Sequence, residues 1–350
     1  MAADIIDWDL ALRTGRRFAP KGPATSLSAA RDTVDAIREH ARAAVAPVRE
    51  CTGMTISGDT PEAAVVDRST WIESNIDAFR FVLAPILDRL RDGNGASGPG
   101  VEVGSRATAL QLGAILGWLS GKVLGQYEAL APWGAQARLM LVAPNMVEVA
   151  TVIGADPRDF QLWVCLHEET HRVQFTAVPW LADHFAAEVQ SLIVASDVPG
   201  REYLKRAGAI AAALLEVLRG RDGATALLRA AQSPEQRTIF DRITALMTLL
   251  EGHADVVMDE VGPQVVPSVV SIRASFEQRR QNPGAVDSVV RRLLGMDAKL
   301  RQYSEGAAFV RAVTAQVGMG GFNRVWESAD TLPLPAEIAA PQLWVARVHG

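Results

Sequence analysis

Residues 160–175 carry His167, Glu168 and His171 in the order H-E-x-x-H, inside a run whose apolar positions recur at helical spacing. Two residues four apart on an α-helix sit only ~40° apart around its axis and about one turn apart along it, so both imidazoles can meet at one metal ion. The motif therefore demands a helix here, and the residues before it supply the start: Asp156 as N-cap, Pro157 at the first helical position and Asp159 in the first turn. Phe160, Trp163, Val164, His167, Thr170, His171 and Gln174 fall along one broad face, which predicts histidines pointing inward from a buried helix. Glu168 leaves the helix beside that pair. A carboxylate there can take a proton from water activated by zinc, which lowers the water's pKa to about 7.

Two histidines need a third protein ligand. The extended motif H-E-x-x-H-x-x-G-x-x-H fails, because Gln174 stands where glycine is required and Ala177 where histidine is required. A later helix, opened by Ser233, Pro234, Glu235 and Gln236, offers Glu251 as ligand, with Asp255 one turn on to accept the free ring N–H of a metal-bound histidine. His184 and Glu188 are rival ligands nearer in sequence. His253 is another, although two residues from Glu251 it points about 200° away around the helix; it could ligate, line the site or be packed.

These residues resemble the gluzincins, in which H-E-x-x-H is completed by a glutamate from another helix that carries an aspartate one turn later. The resemblance implies His167, His171 and Glu251 as zinc ligands, Glu168 as general base and Asp255 as the carboxylate behind a ligand. More narrowly, Ile6–Trp8, Trp163–Phe175, Pro179–Leu181, Glu251–Asp255 and Lys299–Tyr303 are similar to an actinobacterial family of zincin-like metallopeptidases of unknown substrate, some labelled as associated with deazaflavin-coenzyme biosynthesis. The fold this implies is α+β and predominantly helical, with a small β-sheet beside the motif helix. About eighty residues separate His171 from Glu251, more than in the compact gluzincin peptidases.

At 350 residues and 49% hydrophobic content, the chain can bury one large core or two modest ones. A net charge of −5 with interspersed signs gives no polycationic face for nucleic acid. Only Cys51 and Cys165 occur, too few for a disulfide framework, which suits a reducing compartment. The N-terminal residues include Asp4 and Asp7 and hold no apolar run of signal-peptide length, so a cytoplasmic location is the expectation. Residues 107–124 are apolar enough to raise a membrane span, with Gly113, Gly117, Gly121 and Gly125 every fourth residue. Gln111, Ser120 and Lys122 interrupt them, and the stretch reads as a buried soluble helix whose glycines let a neighbour approach closely.

Residues 1–100 read as a helical region and 101–350 as the metal-binding region, either separate or continuous with the first. Helices are expected over 28–46, ending before Pro47, and from Thr60 and Pro61 to Arg91 with a bend at Pro85. The glycine-rich run 92–100 marks a break, and residues 138–145 a strand, ended by Pro144 and Asn145. By resemblance, that strand could belong to a sheet whose edge pairs with extended substrate; a core strand with no such role is the alternative. Helices follow over 181–194, 201–218 and 233–261, and the C-terminal part is expected to close in an extended, proline-dotted tail. Tyr303, Arg279 and Arg280 are candidate donors to an oxyanion and could line the site. Two functions are open: a zinc hydrolase acting on a peptide or amide, and a zincin-shaped scaffold that holds metal without a substrate cleft. Glu168 favours the first, since a structural zinc site needs no base.

Overall fold

In the computed structural model, residues 5–56, 61–92, 99–130, 137–195, 234–281 and 297–350 are described. Helix α1 (Trp8–Phe18) starts at Asp7, whose carboxylate accepts the Leu10 N–H at 2.8 Å, and α2 (Leu27–Thr52) at Ser26, which accepts from Ala29 at 3.1 Å. Both caps satisfy a backbone donor that the helix itself cannot. Against expectation, α2 does not stop before Pro47. It runs on to Thr52 because Ala44, Val48 and Thr52 are buried on one face, which offsets a backbone bond lost at the proline, and it ends at Gly53 with φ 62°.

The helix expected from Thr60 is also displaced. Ala64–Val66 forms a strand, β1, as its two β-branched valines favour, and α3 (Arg68–Asp92) begins only after Asp67, which caps it by accepting from Thr70 N–H at 2.7 Å. Then come α4 (Pro99–Ser120), β2 (Gly125–Tyr127), β3 (Leu139–Val142), α5 (Ala143–Ile153), α6 (Pro157–Ala177) and α7 (Leu181–Val194). The C-terminal helices are α8 (Pro234–Val265), α9 (Val269–Gln281), α10 (Asp297–Phe322), α11 (Pro335–Ala339) and α12 (Pro341–His349). The tail is thus helical where an extended one was expected, because Pro335 and Pro341 stand at helix starts, where a missing N–H costs nothing. The helix expected over 201–218 lies outside the described residues.

The sheet has the order β1-β3-β2. The expected strand sits at its centre, parallel to β1, with Val65 opposite Leu141, and antiparallel to β2, with Gln126 opposite Met140. All four of its residues are buried. With a neighbour on each side β3 is a core strand of the sheet and offers no edge to substrate; among the described residues the sheet's edges are β1 and β2. Pro144 and Asn145 end the strand by opening α5 directly.

Two glycine contacts set the helix packing. A Cβ on Gly113 would lie 2.4 Å from the Ala11 carbonyl oxygen, so the backbones of α1 and α4 touch, as the four-residue glycine spacing predicts. No described helix is long and apolar enough to cross a membrane. Between two C-terminal helices a Cβ on Gly252 would lie 2.2 Å from the Gly306 carbonyl carbon, which presses α10 onto α8 beside Glu251. One buried apolar cluster runs from Ile5 to Val348 and takes side chains from both halves of the chain.

Candidate metal centre

Helix α6 starts where the motif needs it, with Asp156 accepting from Asp159 N–H at 3.0 Å and Pro157 in the first turn. One turn apart on it, His167 and His171 bring their Nε2 atoms to 3.1 Å, with the rings edge-on at 90°. From α8, Glu251 Oε2 lies 3.5 Å from His167 Nε2 and 3.8 Å from His171 Nε2. The three donor atoms lie within 4.8 Å of one another. Ligand atoms bound tetrahedrally at 2.0–2.2 Å sit roughly 3.3–3.6 Å apart, so small adjustments would let all three close on one zinc-sized ion.

The hydrogen bonds around the triad fix which nitrogens are available. Gln174 Nε2 donates to the Leu250 carbonyl at 2.9 Å, and a carbonyl can only accept, so the amide oxygen must be the atom 2.9 Å from His171 Nδ1. His171 therefore carries its proton on Nδ1. His167 Nδ1 faces the Met258 sulfur at 3.2 Å, again an acceptor, and its proton belongs on Nδ1 as well. Two neutral imidazoles then aim their Nε2 lone pairs at the same point as a carboxylate oxygen. Such a donor set suits a cation and repels itself without one or a bound proton. Consistent with this, His167 is held above the usual imidazole range; burial opposes its charge, but the Glu251 carboxylate, with the charges of Glu168 and Asp255 adding to it, outweighs burial.

Glu168 is 7% exposed and lies against β2. Burial, reinforced by the Glu251 charge and opposed by His167, pushes its carboxyl up to about 7. Gly125 leaves the room it occupies: a Cβ there would fall 2.5 Å from Glu168 Cγ. Gly125 and Tyr127 share the strand face toward α6, where Tyr127 stacks on Phe175 at 5.6 Å. Gln126, on the opposite face, accepts from Trp71 Nε1 at 2.8 Å and donates to Asn75 at 3.2 Å.

The remaining candidates are placed elsewhere. Asp255 does not accept from His167 or His171; Arg273 on α9 pairs with its carboxylate at 3.1 Å and with Asp259 at 2.6 Å, and the position behind His167 goes to Met258, two turns beyond Glu251. The charge of Asp255 still favours the protonated form of His167. His253 is wholly buried against Phe322 and Trp326, with Nδ1 on the Gln174 amide and not on the triad; burial, with the charge of His171 adding to it, pushes its pKa down to about 3. Glu188 forms an ion pair with Arg242 at 2.9 Å, and His184 packs edge-on against Trp180. Tyr303 belongs to α10 and Arg279 and Arg280 to α9, but their side chains lie outside the described residues. Sequence reasoning missed the roles of Gln174, Met258 and Gly125. The first had been placed on the buried face and the last in the glycine series, whereas Met258 carried no signal beyond its spacing of two turns from Glu251.

Comparison with known proteins agrees with the geometry. A crystal structure from Chloroflexus aurantiacus, provisionally described as a hydrolase with a novel fold, superposes with a TM-score of 0.69 at 30% sequence identity, covering 98% of this chain and 99% of that one. No match is found among the curated proteins. Residues 6–345 match the family of zincin-like metallopeptidases. With the match spanning nearly the whole chain, and with two histidines of a helical H-E-x-x-H meeting a glutamate from a second helix, the protein belongs to the zincin-like metallopeptidase family.

Proposed function

We propose that the protein is a zinc-dependent hydrolase of peptide or amide bonds, with His167, His171 and Glu251 as metal ligands and Glu168 as general base. The observation that carries the proposal is the convergence of His167 Nε2, His171 Nε2 and Glu251 Oε2 beside a buried carboxyl raised to about 7, where a group can both take and return a proton near neutral pH. A zinc ion held there would supply Lewis acidity toward a carbonyl and toward water. Glu168 takes the proton of the attacking water and returns it to the leaving nitrogen, which would otherwise depart as an unstable amide anion. Gly125 lets Glu168 stand that close to β2. Leu124 and Glu128 bond across to β3, so by the two-residue period of antiparallel pairing Gly125 turns its N–H and C=O, and Tyr127 its N–H, to the outer side of β2, where an extended peptide could add as a strand; the Tyr127 carbonyl already accepts from Ala129 N–H at 2.9 Å.

The test is a broad peptide library at neutral pH, run with added zinc and again with a chelator. Cleavage that requires zinc supports the proposal. Stoichiometric zinc with no cleavage of any peptide favours a metal-holding scaffold instead. A second test addresses the placement of the base. Gly125→Ala puts a methyl group into the space of Glu168 Cγ and is expected to slow hydrolysis by about 10²-fold, the scale of a ~1 Å misplacement, while zinc content stays at the wild-type value. Equal rates for Gly125→Ala and wild type would show that the base does not need this position.

A further inference from the structure

Gln174 is wholly buried and uses its whole amide at once: Oε1 accepts from His171 Nδ1–H at 2.9 Å, and Nε2 donates to the Leu250 carbonyl at 2.9 Å and to His253 Nδ1 at 3.1 Å. Leu250 and His253 flank Glu251 in sequence. One side chain therefore joins the ring of one proposed ligand to the turn of α8 that presents another. We propose that Gln174 is a positioning residue, which sets the proton of His171 on Nδ1 and holds the Glu251 turn at a fixed distance from it, so that the ligand atoms stand ready before a metal arrives. His253 is the anchor at the far end. Seated against Phe322 at 5.2 Å and Trp326 at 5.7 Å, it offers the acceptor that holds the amide flat between the two helices. The chemistry is that of a carboxylate behind a metal-bound histidine, transferred to an amide that also bonds a second ligand-bearing helix.

The proposal rests on the metal-site reading above, and the test separates the two. Zinc affinity of the purified protein is measured by competition with a chelating dye, together with the visible spectrum of the cobalt-substituted form. Wild type is compared with Gln174→Met, with His253→Phe and with Asn145→Ala. Asn145 is a buried polar residue whose amide bonds Ser120, Val123 and Arg68, none of them part of the triad or of the Gln174 network, so it controls for lost stability alone. Gln174→Met is expected to weaken zinc binding about 10–100-fold and to shift the cobalt bands, as losses behind a metal-bound histidine do. His253→Phe, which keeps the aromatic packing and removes only the acceptor, should give a smaller loss in the same direction and serves if Gln174→Met does not fold. Asn145→Ala should bind like wild type. Wild-type affinity and spectrum in Gln174→Met, or in His253→Phe where that variant alone folds, overturn the positioning role and leave the metal site standing. A wild type that takes up no zinc overturns both.

Discussion

Glu168→Gln is expected to keep the fold and its zinc while lowering hydrolysis by about 10²–10⁴-fold, the usual contribution of a general base. The amide is isosteric with the carboxyl, so it fits the space that Gly125 leaves open, and Glu168 is not one of the three converging donors, so the variant keeps all three. Its buried carboxyl, raised from an ordinary 4.5 to about 7, disfavours charge in the metal-free protein. Between pH 4.5 and 7 the folded state binds more protons at this site than the unfolded state, so the site's contribution to stability falls as pH rises through that window. Metal-free wild type should accordingly lose stability over that range relative to metal-free Glu168→Gln, which has no such group, as read by chemical denaturation at pH 5 and pH 8. Wild type and Glu168→Gln cleaving one peptide at equal rates would remove Glu168 from the mechanism.

Replacement of Glu251, by contrast, should cost the protein its metal. Glu251→Ala leaves two imidazoles and water, and zinc content measured after dialysis is expected to fall from about one ion per chain to well below that, with hydrolysis lost in parallel. His167→Ala and His171→Ala should behave alike. His253→Ala provides the contrast, because its ring meets Gln174 and the Phe322 and Trp326 rings, so that variant should retain zinc at micromolar metal even if more weakly. Full zinc content in Glu251→Ala would sink this ligand set and return His184 and Glu188 to consideration, despite the ion pair of Glu188 with Arg242.

The sequence by itself determined the parts of this site that depend on local spacing. His167 and His171 had to share a helix face because four residues make about one turn, and Asp156 and Pro157 had to start that helix because they satisfy or remove donors that no other group there could serve. The glycine series at 113, 117 and 121 likewise announced a close helix neighbour, though not which one. Proline was the least dependable local signal: Pro47 sits inside α2 and Pro341 opens a helix, since burial on a neighbouring face decides whether a lost N–H matters. What acts across long loops was decided only by tertiary structure. Spacing alone made Asp255 the partner of a ligand histidine, but Arg273, arriving on another helix, draws that carboxylate into an ion pair and leaves Met258 behind His167. The apolar run at 139–142 was legible as a strand, yet only the arrival of β1 and β2 on its two sides made it the centre of the sheet and left those two at the edges of the described sheet. Gln174 and His253 meet across 79 positions of sequence, and no local pattern encodes a hydrogen bond between them; packing α8 against α6 creates it.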